Sequence, residues 1–199
     1  MITRKEMTRM LLKEGLLSCL ANNSFESVTV TSLCKASGIT RSTFYLHYSN
    51  IMEIIDDLVD DAIAYSKPGM VDNNNLQTIA NTLSAASNSV SLREAYDSIF
   101  DRLPLCQRII RHKKYLPLFL DEQISEYVLQ RIIGREKDRQ GLLMAESLGV
   151  SFDVGVSIFI FLVHGLYAVN KQYKWSQSDE WLEAQKIIFK LVYRGLQSK

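Results

Sequence analysis

Apolar residues recur at helical spacing along most of this chain, and no stretch shows the two-residue alternation of a half-buried strand. Leu12, Leu16 and Leu20 stand at i, i+4, i+8 and predict a first helix. It starts at Thr3, where Thr3-Arg4-Lys5-Glu6 has the spacing of a capping box, and runs to about Asn22. Asn22-Asn23-Ser24 breaks it, with Asn23 expected to close the helix in a left-handed conformation. Val30, Leu33 and Cys34 form the next apolar stripe, behind Thr29 as N-cap. Gly38 stands where a helix ends in a left-handed residue, and Ile39 supplies an apolar plug. Thr40 then caps a short third helix that Phe44 and Tyr48, four apart, pin to the core. Asn50 opens a fourth, whose stripe is Ile51, Ile54, Ile55, Leu58, Val59 and Ala62. Lys67-Pro68-Gly69 stops it after about Ser66.

The polar run Asp72-Asn73-Asn74-Asn75 is the best domain boundary, dividing a head of residues 1–66 from a larger domain of residues 67–199. Beyond it the periodicity predicts helices at Leu76–Ala86, Leu92–Leu103, Leu105–Lys113 and Leu116 to about Ile133. The charge run Gly134–Arg139 reads as a solvated turn or helix face, and Leu142–Leu148 as a brief helix ending at Gly149. Phe152–Tyr173 and Gln177–Gln197 close the chain, the last capped by Ser176 with Asp179. The expected fold is all-α, a helical head followed by a helical C-terminal domain.

The third helix leaves Arg41, Ser42, Thr43, Tyr45 and His47 off the core-facing side. A short helix presenting such groups suits phosphate oxygens and base edges in a major groove, and two short helices joined at Gly38 form a helix-turn-helix over about residues 29–48. Phe25 through Glu53, FESVTVTSLCKASGITRSTFYLHYSNIME, resembles the DNA-binding domain of the tetracycline-repressor (TetR/AcrR) family of bacterial regulators. The marks are Thr29-Val30, the small residues before Gly38, Ile39-Thr40, and Thr43-Phe44-Tyr45 followed by His47-Tyr48. The resemblance covers about the first 65 residues; beyond them only helical character and length agree.

It implies DNA contact by Thr29, Arg41, Ser42, Thr43, Tyr45 and His47, with Arg41, Ser42 and Thr43 nearest the base edges; Asn50 adds a further hydrogen bond at the start of helix four. It also implies a homodimer in which the last two helices pair with their copies, through Phe159, Val163, Trp181, Ile188 and Val192. The implied function is a transcription regulator, a repressor on a palindromic operator that answers to a small-molecule effector in the C-terminal domain. Ile51 departs from the pattern, since relatives commonly carry a phosphate-meeting lysine there. A helical adaptor or co-activator whose head binds a protein instead of double-stranded DNA is the alternative.

Composition constrains these readings. At 199 residues with 47% hydrophobic content, the chain can bury a core without disulfides or metal. Net charge is only +1. Residues 1–50 hold six cations (Arg4, Lys5, Arg9, Lys13, Lys35, Arg41) against Glu6, Glu14 and Glu26, a net of +3. Residues 51–61 hold Glu53, Asp56, Asp57, Asp60 and Asp61, a net of −5. That asymmetry turns a weakly basic surface to the polyanion and an acidic element away from it.

Cys19, Cys34 and Cys106 read as small buried hydrophobes in a reducing cytosol. No secretory leader is visible, and the apolar stretch Val154–Val169 is shorter than the roughly 20 residues of a membrane span. A soluble cytoplasmic protein with no membrane partner is expected. None of His47, His112 and His164 has a Glu, Asp or Cys three residues before it, and phosphate-cradling and nucleophile motifs are missing, so no enzyme, metal or cofactor is expected. The basic cluster Arg108, Arg111, His112, Lys113 and Lys114 reads as a solvated face. Phe119, Tyr127, Phe159, Phe161, Tyr167 and Tyr173 are either core or pocket lining.

Overall fold

The structure, a computed structural model, describes residues 3–66, 75–103, 107–108 and 113–197. The fold is all-α. Its fully described helices are α1 (Arg4–Asn22), α2 (Val30–Ser37), α3 (Arg41–Tyr45), α4 (Ile51–Ser66), α5 (Asn75–Ala85), α6 (Ser89–Ser98), α7 (Leu116–Leu120), α8 (Ser125–Leu148), α9 (Phe152–Gln172) and α10 (Asp179–Gln197). Short 3-10 turns lie at Phe25–Ser27 and Phe100–Arg102. The proposed stop at Lys67-Pro68-Gly69, most of the Asp72–Asn75 run, Cys106, Arg111 and His112 lie outside the described residues.

The chain forms two compact units. The first comprises residues up to Tyr65 together with Ile109–Ile132, and the second Ser66–Arg108 with Ile133–Lys199. The units are therefore not two contiguous halves: a segment from the middle of the chain returns to the first one. Specific bonds hold it there. Asp121 accepts the Phe25 N–H at 2.6 Å, Lys114 pairs with Glu14 at 2.5 Å, and Tyr127 donates to Asp56 at 2.6 Å.

Within the first unit α1 begins with the expected capping box between Thr3 and Glu6, and Leu12, Leu16 and Leu20 are buried. Its end differs from expectation. Asn23 is extended (φ −143°), and both its backbone N–H and its side-chain amide donate to the Cys19 carbonyl, so no left-handed residue is needed. Leu118 and Phe119 of α7 are buried in their turn.

The segment after Leu116 corrects the sequence reading twice. The helix expected from Leu116 to Ile133 breaks at Asp121, whose carboxylate accepts from the N–H groups of Gln123 and Ile124 and so turns the chain. The charge run Gly134–Arg139 is no turn; it lies inside the 24-residue α8, which also absorbs Leu142–Leu148. A solvated mid-helix glycine costs only about 1 kcal/mol, which a long helix tolerates.

The second unit has its core in Ile79, Leu83, Leu92, Tyr96, Ile99, Leu103, Leu166, Trp181, Leu182 and Phe189. In it α8 and α9 cross with almost no space between backbones. A Cβ on Gly155 would stand 2.2 Å from the Gly141 carbonyl oxygen and 2.8 Å from the Ala145 nitrogen, so only glycine fits. The cap of α10 is Ser178, whose hydroxyl accepts from Trp181 N–H at 3.3 Å, rather than Ser176.

α9 is 21 residues long with a mean hydropathy of 1.9 over its most apolar window, 28% of which is buried. Its bounds agree with the expected Phe152–Tyr173, and by length and composition alone it is long and apolar enough to cross a bilayer.

Candidate nucleic-acid interface

The candidate interface is built from α2, the turn after it, and α3. Thr29 caps α2 with a full capping box: its hydroxyl accepts from Ser32 N–H at 3.1 Å, and its own N–H donates to the Ser32 hydroxyl at 2.9 Å. At the other end Gly38 is left-handed (φ 66°), Gly38 N–H donates to Lys35, and Ile39 N–H donates to Cys34 at 3.0 Å. This pair of bonds is the Schellman closure, and it fixes the angle at which α3 leaves α2. A β-carbon at a left-handed residue costs roughly 1–2 kcal/mol, so Gly38 is the residue the turn demands.

Thr40 starts α3 by accepting from Thr43 N–H at 3.2 Å. The helix is only five residues long, and its position is set from beneath. Phe44 is 0% exposed and Tyr48 3% exposed, their rings 6.3 Å apart. The Tyr48 hydroxyl donates to Asp57 of α4 at 2.6 Å, and Arg9 of α1 donates to the same carboxylate while lying 4.7 Å above the Tyr48 ring. One carboxylate thus ties the chain just after α3 to α1 and α4. Burial, and then the Asp57 contact, push the Tyr48 hydroxyl's pKa well above the ordinary tyrosine value. Asp57 likewise raises that of Arg9.

The outward residues divide into three groups. Arg41, Ser42 and Tyr45 are exposed on α3, Tyr45 at 53%, while Thr43 is half-buried. Thr29 and Asn50 are exposed but engaged: Thr29 in its capping box, and Asn50 as acceptor from Glu53 N–H at 3.1 Å, which leaves its amide N–H groups for an outside acceptor. His47 is half-buried in the turn after α3, with its Nδ1 enclosed and unpartnered among the described residues. His47 is therefore less outward than the spacing implied, because α3 ends at Tyr45.

Two features escaped the sequence reading. Leu46 is 81% exposed beside Tyr45, an apolar group at the tip of the motif. The Thr40 hydroxyl also lies 3.0 Å from that of Ser42 and 2.8 Å from that of Thr43, so the three hydroxyls form one cluster. Its only signal was Thr40-x-Ser-Thr, which reads equally well as a plain N-cap.

The charge pattern also needs revision. The acidic face of α4 is neutralised within the unit: Asp57 pairs with Arg9, Asp61 with Lys13, and Arg131 lies 3.5 Å from both Asp56 and Asp60. Arg9 and Lys13 thus do not add to the outer basic surface. Arg4, Lys5, Lys35 and Arg41 remain as its exposed cations.

The expected dimer residues do not all reach the surface. Phe159 (8% exposed), Val163 (7%) and Trp181 (3%) are buried within the chain, since they fall on the inward side of α9 and α10. Ile188 and Val192 are half-buried. The large apolar residues those helices expose are instead Phe152, Val154, Phe161, Ile187 and Leu191. Of the basic cluster, Lys113 is exposed and Lys114 bonds Glu14, but Arg108 is buried, so the solvated-face reading fails for it. Phe119, Phe159 and Tyr167 are buried, Phe161 is exposed, and Tyr127 bonds Asp56. Burial raises the thiol pKa values of Cys19 and Cys34. Among the described residues no group of three His, Cys, Asp or Glu side chains is placed to hold a metal ion.

No family model matches the chain, and a search of curated proteins likewise finds no match.

Proposed function

We propose that the chain is a sequence-specific DNA-binding transcription regulator, a ligand-responsive repressor that binds a palindromic operator as a homodimer. The observation that carries the reading is the α2–α3 motif. A Schellman turn at Gly38 and two buried aromatics beneath α3 hold Arg41, Ser42 and Tyr45 outward on a helix too short to serve as a packing element. The resemblance of residues 25–53 to the tetracycline-repressor family agrees with it. Arg41 supplies a bidentate donor for guanine or phosphate, the hydroxyls supply adaptable donors, and Leu46 suits a thymine methyl group.

The dimer is proposed from the apolar stripe on the last two helices. Val154, Ile158, Phe161, Gly165 and Ala168 follow each other at spacings of four and three on α9, and Ala184, Ile187 and Leu191 follow at three and four on α10, with Ile188 next to Ile187. Phe161 at 72% exposure and Leu191 at 65% are costly to leave in water; the same two helices of a second copy would cover them as a four-helix bundle. A two-fold dimer then reads two half-sites about 34–36 Å apart.

Selection from a random duplex pool, followed by fluorescence anisotropy across a salt series, tests the function. A palindromic consensus and a log–log salt dependence are expected, with Arg41→Ala relaxing the base preference. A chain that ignores duplex DNA at all salt concentrations, yet captures a protein through Tyr45 and Leu46, would be the helical adaptor instead.

A further inference from the structure

One apolar side chain of the α2–α3 motif has no use inside the fold. Leu46 is 81% exposed, more than any other large apolar residue among those described, while Phe44 is 0% and Tyr48 3% exposed. A single exposed leucine needs no explanation in general, but this one is held in a particular place. Phe44 and Tyr48 mark the inward side of α3, and position 46 lies two residues from each, about 200° round the helix axis. Leu46 keeps helical dihedrals (φ −75°, ψ −19°), and its N–H donates to the Ser42 and Thr43 carbonyls at 3.3 and 3.2 Å. The backbone beneath the side chain is thereby fixed, and Leu46 points directly away from the core.

Ser42, four residues earlier, shares that outermost line, and its hydroxyl lies 3.0 Å from that of Thr40. Arg41 and Tyr45, also four apart, form the neighbouring line, with Tyr45 edge-on against Phe44 at 5.1 Å between ring centroids. These surroundings decide what the leucine meets. A protein-binding hot spot gathers apolar groups around one packed centre. Leu46 stands instead among hydroxyls and the exposed Arg41 cation, a frame that suits a polyanion. On the major-groove edge of a base pair the apolar group is the methyl on C5 of a pyrimidine. Thymine carries it, and so does cytosine methylated at C5.

We propose that Leu46 reads a pyrimidine C5-methyl group at one position of each half-site. The proposal rests on the DNA-binding reading of α3 and deepens it. Part of the base preference then comes from a methyl group, which no hydrogen-bonding residue of the motif can sense.

The test uses the duplex that the full chain selects from a random pool, with fluorescence anisotropy at one fixed salt concentration. Deoxyuridine replaces thymine at matching positions of the two half-sites, one pair at a time, which removes the methyl and keeps the pairing edge. At one such position affinity should fall about fourfold per half-site, or about fifteenfold for the pair, the worth of one buried methyl group each. In a second arm each consensus cytosine is replaced by 5-methylcytosine. A loss with deoxyuridine assigns thymine; a gain of similar size with 5-methylcytosine, deoxyuridine being harmless throughout, assigns the methylated base. Leu46→Ala should bind the methylated and unmethylated duplexes equally, with its melting temperature unchanged because the side chain lies in water. Leu46→Met keeps an apolar side chain of similar volume and should preserve the difference.

A methyl effect of the same size in Leu46→Ala, or no effect of either base at any position, would overturn the proposal and leave the regulator in place. A chain that binds no duplex would remove both, and capture of a protein through Leu46 would then make the head an adaptor.

Discussion

Asp57→Ala should disconnect α3 from its support. The carboxylate accepts from the buried Tyr48 hydroxyl at 2.6 Å and from Arg9, whose side chain is 34% exposed. Leaving a buried hydroxyl without an acceptor costs about 1–3 kcal/mol. The ion pair is open to water and adds about 0–1 kcal/mol. A loss of about 2–3 kcal/mol is therefore expected from urea denaturation at neutral pH. Tyr48→Phe keeps the ring under Arg9, 4.7 Å away, and removes only the hydrogen bond, so about 1–2 kcal/mol should go. In the double variant the losses should fall short of their sum by about 1 kcal/mol, the coupling of the pair. Asp57→Ala should also weaken duplex binding under conditions where the protein remains folded, because α3 then lacks its tie to α1 and α4. Strict additivity of the two stability losses would refute the shared-carboxylate account.

The same hydroxyl sets an alkaline limit. Its folded-state pKa lies above the unfolded value of about 10, so its contribution is intact below about pH 10 and is lost as pH climbs from there; Tyr48→Phe should flatten that part of the stability–pH curve measured by denaturation. Phe44→Ala should cost about 3–5 kcal/mol through the cavity it opens, whereas Tyr45→Phe should weaken duplex binding with little change in melting temperature; the reverse pattern would mean that α3 faces the other way. Ile51→Lys should steepen the log–log salt slope by about 0.9 per subunit and strengthen binding on all DNA sequences alike; an unmoved slope would show that residue 51 does not meet the backbone. Phe161→Asp with Leu191→Asp should yield folded monomer in sedimentation, since both side chains are exposed in the isolated chain; an unchanged dimer would place the interface elsewhere.

Local chemistry made the helical head legible in the sequence. The capping box at Thr3, the N-caps Thr29 and Thr40, the left-handed Gly38 and the burial of Phe44 and Tyr48 all follow from residues within four or five positions of each other. Such features are decided by backbone sterics and by hydrogen bonds that close within one turn. The α4 stripe was legible for the same reason, since helical period alone places Ile54, Ile55, Leu58 and Val59 inward.

What escaped depends on partners distant in sequence. Nothing near Asp121 announces that Phe25 will donate to it, nor does the acidic run of α4 reveal that Arg9, Lys13 and Arg131 neutralise it. Phe159, Val163 and Trp181 are as apolar as Phe161 and Leu191, and composition cannot tell which of them a chain will bury against itself. The buried amides of Asn170 and Gln185 are the sharpest case. Gln107, which donates to Gln185, lies 78 positions away in sequence, and only the tertiary packing of the second unit encloses the two amides. A helix determines its own caps and periodicity, but burial and pairing are set by whatever surface the rest of the chain brings against it.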